Sequence, residues 1–285
     1  MLLAVPALRA LAAAGPVSLA AQPRIAALLH ALGVVDEHVA FDALGLDALF
    51  TGDASRAPRL PSGARVVSWF GAREPVFKQC LLALAPDAVI APSVEPGRPV
   101  WEHLLATIGA PPGGWCAPIQ APGAVRGLGE QTRLAAGGHG PPPWLVVHPG
   151  AGGAAKRWPA EAFARIVTTL AARARMNVCV HVGPADAEAG AALRRHVGDG
   201  VVWLREPPLP ALAGVLASGA LYVGNDSGVS HLAAALGVPS LALFDARHLD
   251  WRPWWRGAGV LTVTLTEVVA REVDAVIAEL ERRLG

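Results

Sequence analysis

From Trp144 onward the chain repeats one pattern: a short run of valine and leucine, a loop of glycine and small polar residues, then a stretch with one apolar helical face. The apolar runs are WLVVHPG (144 to 150), MNVCVHVG (176 to 183), VVWL (201 to 204), ALYVG (220 to 224) and PSLALF (239 to 244). They do not alternate apolar with polar residues, as expected for parallel strands covered on both faces. Between and after them the spacing predicts helices. One opens at Pro159 with Phe163, Ile166, Val167 and Leu170 on one side; others run to His196 and over Ala211 to Ala217. A last one carries Val269, Val273, Val276, Ile277, Leu280 and Leu284 on one side. This alternation specifies a doubly wound α/β domain.

The first half has a similar but less regular rhythm. VSLAA (17 to 21), HVAF (38 to 41), RVVSWF (65 to 70) and DAVIAP (87 to 92) read as strands, with helices from Pro23 to Leu32 and from Trp101 to Ile108. Between Ala110 and Pro143 the composition turns to proline and glycine, which predicts a connection holding a short helix near Gly127 to Ala136. The expected division is therefore a first domain plus linker over 1–136 and a second domain over 137–285, both Rossmann-like, with a ligand cleft between the carboxyl ends of their strands.

Composition narrows the function classes. With 24 Lys and Arg against 23 Asp and Glu, the net charge of +1 leaves no broad field for nucleic acid, so any anion must be held locally. Cys80, Cys116 and Cys179 lie far apart without metal-type spacing and read as reduced thiols. The opening MLLAVPALRALAAAGP lacks the leading charge of a secretory signal, and Leu2, Val5, Leu8 and Leu11 recur as on an amphipathic helix. Its expected state is soluble and cytoplasmic, since no apolar run reaches the roughly 18 residues of a membrane span.

Three loops leave carboxyl ends of strands in the second domain: HPGAGGAAKRWP (148 to 159), VGPADAE (182 to 188) and VGNDSGVSH (223 to 231). In the last, Asp226 or Ser227 can cap a helix whose first amides, at Gly228 and Val229, form an anion site, with His231 beside it. Such junctions also serve simply as helix caps. The glycine loop fits GxGxxA through Gly150 and Gly152, yet its helix opens only at Pro159, and the next strand ends in Gly183 without the acid a dinucleotide site needs. A Walker loop fails as well, because Arg157 follows Lys156. What remains is a flexible loop carrying Lys156 and Arg157 toward the helix end. Two cations and a helix dipole can stabilise a diphosphate leaving group without a metal, and no His, Cys or carboxylate cluster has metal spacing. Asp186 and Glu188 can accept hydrogen bonds from ribose hydroxyls or simply favour the first turn of a helix. The tract FDARHLDWRPWWRG (244 to 257) can frame a base or a sugar, or anchor the crossing to the last helix.

HPGAGGAAKRWPAEAF together with VGNDSGVSHLAAALGVP resembles glycosyltransferase family 9, the ADP-heptose heptosyltransferases of lipopolysaccharide core assembly. The resemblance implies the GT-B fold: a donor-binding domain over 137–285, whose last helix crosses back, and an acceptor-side domain before it. It implies that Lys156 contacts donor phosphate and sugar, that Asp226 holds sugar hydroxyls, and that Ser227 and Gly228 bind the diphosphate near His231. Asp186 or Glu188 corresponds to the family's ribose-binding acid. The implied activity is inverting, metal-independent transfer of a heptose or related sugar from an ADP-sugar, without a cofactor. The acceptor is a lipid-linked saccharide at the inner face of the cytoplasmic membrane, with peripheral membrane contact.

The sequence departs from the family at its start. Members begin with a strand and a Gly-Asp loop whose aspartate is taken as the base; here Met1 falls just after that position. The expectation is that the natural chain starts upstream, or that another acid such as Glu74 substitutes. Two other readings stand beside the transferase: a nucleotide-sugar-binding protein without transfer activity, and an NAD-binding oxidoreductase.

Overall fold

A computed structural model describes residues 1–53, 58, 60, 61 and 63–284. The chain divides into two compact units, the first over Leu3–Cys116 and the second from Ala117 to the C-terminal helix. The expected boundary at 136/137 thus moves to 116/117. The stretch read as a linker contains a thirteen-residue helix, α6 (Gly123–Ala135), that packs on α9 (Leu209–Ala217) of the second unit. At that crossing a Cβ on Gly129 would lie 2.1 Å from the Gly214 carbonyl carbon, and one on Gly214 would lie 2.0 Å from the Val125 oxygen. Gly129 and Gly214 let the two helix backbones touch.

The first unit contains α1 (Val5–Ala12), β1 (Ser18–Ala21), α2 (Pro23–Ala31), β2 (Glu37–Ala40), α3 (Asp47–Thr51), β3 (Val67–Ser68), α4 (Pro75–Leu84), β4 (Val89–Ile90) and α5 (Val100–Thr107). Its strands form two separate parallel pairs, β1 with β2 and β3 with β4, and among the described residues no strand joins them. β3 and β4 have two residues each, much shorter than the runs that predicted them. A one-turn 3-10 helix over Leu2–Ala4 precedes α1, whose Val5, Ala7 and Leu8 are buried. Helix α4 was missed in the sequence because its apolar residues ring it: Phe77 and Leu81 enter a core with Leu49, while Val76, Leu82 and Leu84 are exposed.

The second unit follows the sequence reading more closely. Six strands, β5 (Trp144–His148), β6 (Asn177–Val182), β7 (Val201–Arg205), β8 (Leu221–Asn225), β9 (Ser240–Phe244) and β10 (Gly259–Thr262), all pair in parallel in the order β10-β9-β8-β5-β6-β7. The chain builds outward from β5 on one side and then from β8 on the other, so the strand order reverses between these two. Helices α7 (Ala160–Arg173), α8 (Ala187–Arg194), α10 (Gly228–Ala235) and α11 (Ala270–Leu284) complete the winding. Phe163, Ile166, Val167 and Leu170 of α7 meet Val273, Val276, Ile277 and Leu280 of α11 in one core over the strands. The edge strand β10 was not foreseen: its four residues follow a tryptophan-rich tract and are mostly half-buried, so they carry little apolar signal.

No disulfide links Cys80, Cys116 and Cys179, and burial pushes the Cys179 thiol up to about 12. Among the described residues no helix is long and apolar enough to cross a membrane.

Candidate functional site

The carboxyl ends of β5 and β8 lie side by side, with His148 opposite Gly224. The glycine loop leaves one strand and Asp226 follows the other, which is the reversal point where doubly wound sheets bind ligands. One buried side chain ties the two together. Asn225, fully inaccessible, accepts from the Trp158 amide through Oδ1 at 3.0 Å and donates through Nδ2 to the carbonyls of Pro149 at 2.8 Å and Gly150 at 3.3 Å. Both ends of the loop over 149–158 are thereby held by a single residue. Sequence reading passed over Asn225, since an asparagine at a strand end signals a turn as readily as a clamp.

Within the clamped loop, Gly152 and Gly153 are open, with nothing within 4 Å of an added Cβ. A 3-10 turn over Ala154–Lys156 then sends Lys156 back to the helix end, where its Nζ donates to Asp226 Oδ2 at 2.7 Å. His231 Nε2 lies 3.7 Å from the other carboxylate oxygen. Asp226 is only 7% exposed, and its own amide donates to Leu243 O at 2.8 Å. Burial alone would raise the Asp226 carboxyl; His231 and Lys156 outweigh it and hold the group below its ordinary value.

The first turn of α10 is built from hydroxyls. Ser227 is the N-cap and accepts from the Ser230 amide at 3.3 Å. Ser230 is buried; its Oγ donates to Asn225 O at 2.5 Å and lies 2.9 Å from the Tyr222 hydroxyl. This hydrogen-bond chain fixes the helix to β8, while the amides of Gly228 and Val229 lie in the first turn, where no helical acceptor precedes them.

The structure therefore gathers Lys156, Asp226, Ser227, Gly228 and His231 at one helix end and places the other expected residues elsewhere. Arg157 turns to the neighbouring loop, donating to Glu188 Oε2 at 3.0 Å and Ala185 O at 2.9 Å. Glu188 stays 85% exposed. The Asp186 carboxylate faces inward, with Oδ2 accepting from the Gly183 amide at 3.1 Å, whereas Glu188 faces solvent. Asp186 packs so tightly on Gly150 that a Cβ there would lie 2.1 Å from its Cγ. Gly150 thus serves close packing, whereas Gly152 is exposed. Beside Asp186, His148 and His181 bring their Nδ1 atoms to 3.1 Å, and burial holds the His148 imidazole below its ordinary value against the raising effect of Asp186. In the tract after β9, Trp254 is buried and Trp251 is exposed, while Arg247 forks onto Asp245 with contacts of 2.9 and 2.7 Å.

Fold and site define a doubly wound α/β protein that presents a lysine-aspartate-histidine cluster at a capped helix N-terminus. The chain belongs to glycosyltransferase family 9 (heptosyltransferase), whose family model matches residues 122–275, more than half of its length. It is 31% identical over 121 residues to lipopolysaccharide heptosyltransferase 3 of Escherichia coli, a match covering 39% of this chain and 34% of that protein. The chain spans about a third of the length of the curated relatives it matches. Among solved structures, the E. coli ADP-heptose lipopolysaccharide heptosyltransferase II superposes with a TM-score of 0.74 at 20% identity, over 100% of this chain and 95% of that one. A family 9 glycosyltransferase from Veillonella parvula gives 0.73 at 16%, over 99% and 93%. The fold is the GT-B fold of these enzymes.

Proposed function

We propose that the protein transfers a heptose or related sugar from an ADP-sugar to a lipopolysaccharide-core-type saccharide, with inversion at the anomeric carbon and without a metal. The carrying observation is the contact of Lys156 with Asp226 at the N-terminus of α10, with His231 alongside. In this reading the diphosphate lies on the amides of Gly228 and Val229, and Lys156 leaves Asp226 to meet the charge that develops as the anomeric C–O bond breaks. Asp226, kept ionised, accepts hydrogen bonds from hydroxyls of the sugar. The acceptor hydroxyl oxygen bonds to the anomeric carbon from the opposite face as the bond to the diphosphate oxygen breaks; ADP departs on the helix-end amides, and the hydroxyl proton passes to water. Glu188, exposed beside the same sheet edge, is the acid available to the ribose. The acceptor is lipid-linked, and the protein works in the cytoplasm with peripheral contact to the membrane's inner face.

The test is direct. The protein is incubated with ADP-heptose and a core saccharide in the presence and absence of EDTA, and the product's anomeric configuration is read by NMR. Transfer that survives chelation and inverts the configuration supports the proposal. Binding of ADP-heptose without any transfer would favour a nucleotide-sugar-binding protein, and absence of both would end the reading.

A further inference from the structure

Four of the six phenylalanines gather in the first unit. Phe41 directly follows β2, and Phe70 follows β3 by two residues; their rings meet edge to face at 4.9 Å. Phe50 packs on Phe70 at 5.5 Å and on the buried Phe77 at 4.8 Å. Phe77 closes the cluster from below, yet Phe70 remains 45% and Phe50 37% exposed. The hydroxyl of Ser68 donates to Phe70 O at 2.8 Å and accepts from its amide at 3.3 Å, so the backbone carrying the Phe70 ring is fixed. Phe41, Phe50 and Phe70, with Asp42 and Asp47, line an open cavity of about 540 Å³.

The chemistry of that lining is specific. Half-exposed aromatic rings held in place have lost much of their freedom, so covering them adds apolar burial at little entropic cost. The apolar C–H face of a pyranose covers such a ring, and its hydroxyls donate to carboxylates at the rim. The recess is half open to solvent and offers both ring faces and carboxylates, and its volume falls within the range of small-molecule sites. It also lies just past the carboxyl ends of β2 and β3.

We infer that the cavity between Phe41, Phe50 and Phe70 binds a pyranose ring of a saccharide, stacking on Phe70 and Phe50 with a hydroxyl directed to Asp42. That the ring belongs to the acceptor rests on the transferase reading; that the cavity binds a pyranose does not.

Saturation-transfer NMR tests this with methyl pyranosides of glucose, galactose and mannose as probes, on the intact chain and on Phe70→Ala, Phe50→Ala and Asp42→Asn. The expected result is transfer to the C–H protons of one ring face for at least one probe. It should fall to the background level in Phe70→Ala and weaken in Phe50→Ala and Asp42→Asn. Excess ADP should leave it unchanged, which separates this cavity from the helix-end site in the second unit. Circular dichroism checks that the variants keep their fold; should Phe70→Ala lose it, Asp42→Asn, altering an exposed side chain, carries the test. No transfer with any probe, or transfer unaltered by these substitutions, overturns the inference, whereas failure of the transferase assay leaves its outcome intact.

Discussion

The amide of Trp158 donates to Oδ1 of Asn225 at 3.0 Å, across 67 residues of sequence. Trp158 is itself buried at the end of the glycine loop, and the Asn225 amide holds the loop's beginning through Pro149 O. Asn225→Ala would leave one N–H and two carbonyls buried without partners, at about 1–3 kcal/mol each before relaxation. Chemical denaturation should show a loss of roughly 3 kcal/mol or more. Asn225→Asp can still accept from Trp158 but cannot donate to the two carbonyls, so it should not restore stability. A variant as stable as the parent would mean that the loop is fixed by other contacts.

Lys156 and Asp226 act as one unit in the proposed chemistry. Lys156→Ala and Asp226→Ala should each lower kcat/KM by about 10²–10³, the range seen when a donor to a developing charge is removed. The double variant should lose much less than the product of the two effects. Independent, fully multiplicative losses would mean that the contact at 2.7 Å plays no part in turnover.

The pH behaviour of Asp226 follows from the same neighbours. Burial opposes ionisation, but His231 and Lys156 prevail, so the folded value lies below the ordinary 3.8. A carboxyl depressed on folding stabilises the native state above its unfolded pKa, and that contribution is lost as pH falls through the folded pKa. The Asp226 side-chain carbonyl resonance should therefore titrate below the usual aspartate range, and Lys156→Ala should move it upward. A midpoint at or above 3.8 in the parent would contradict this balance.

Two glycines of one loop should respond oppositely. Gly150→Ala drives a methyl into the Asp186 carboxylate, whereas an added Cβ at Gly152 meets nothing. Overpacking of this kind costs about 1–3 kcal/mol, while an open surface position changes stability by less than about 0.5 kcal/mol. Thermal unfolding of the two variants gives the comparison, and equal shifts would show that Asp186 moves aside freely.

Gly214→Ala should be among the most damaging substitutions in the second unit. Its methyl would enter the backbone of α6 at Val125 and Gly129, where no side chain can rotate away. A loss of at least about 1–3 kcal/mol is expected by denaturant titration. A neutral result would mean that α6 can move off α9.

The sequence by itself determined the parallel sheet of the second unit and three of the side chains that meet at its edge. The runs around Val146, Val180 and Val223 are apolar without alternation, which only a doubly covered sheet accommodates. Parallel strands in turn send every following loop to one edge, so Lys156, Asp226 and His231 were legible as neighbours before any coordinate. The tertiary structure decided what spacing cannot express. Asp186 and Glu188 are two residues apart, yet one packs into Gly150 and the other stands in solvent beside Arg157, because positions two apart at a helix start point to different sides. Gly129 and Gly214 lie in two stretches read only as separate helices, and become a packing site where α6 crosses α9. Asn225 drew no reading from the sequence; only the fold brings the carbonyls of Pro149 and Gly150 and the amide of Trp158 around it. A buried polar group takes its partners from wherever the fold brings backbone within about 3 Å, and those partners lie far away in sequence.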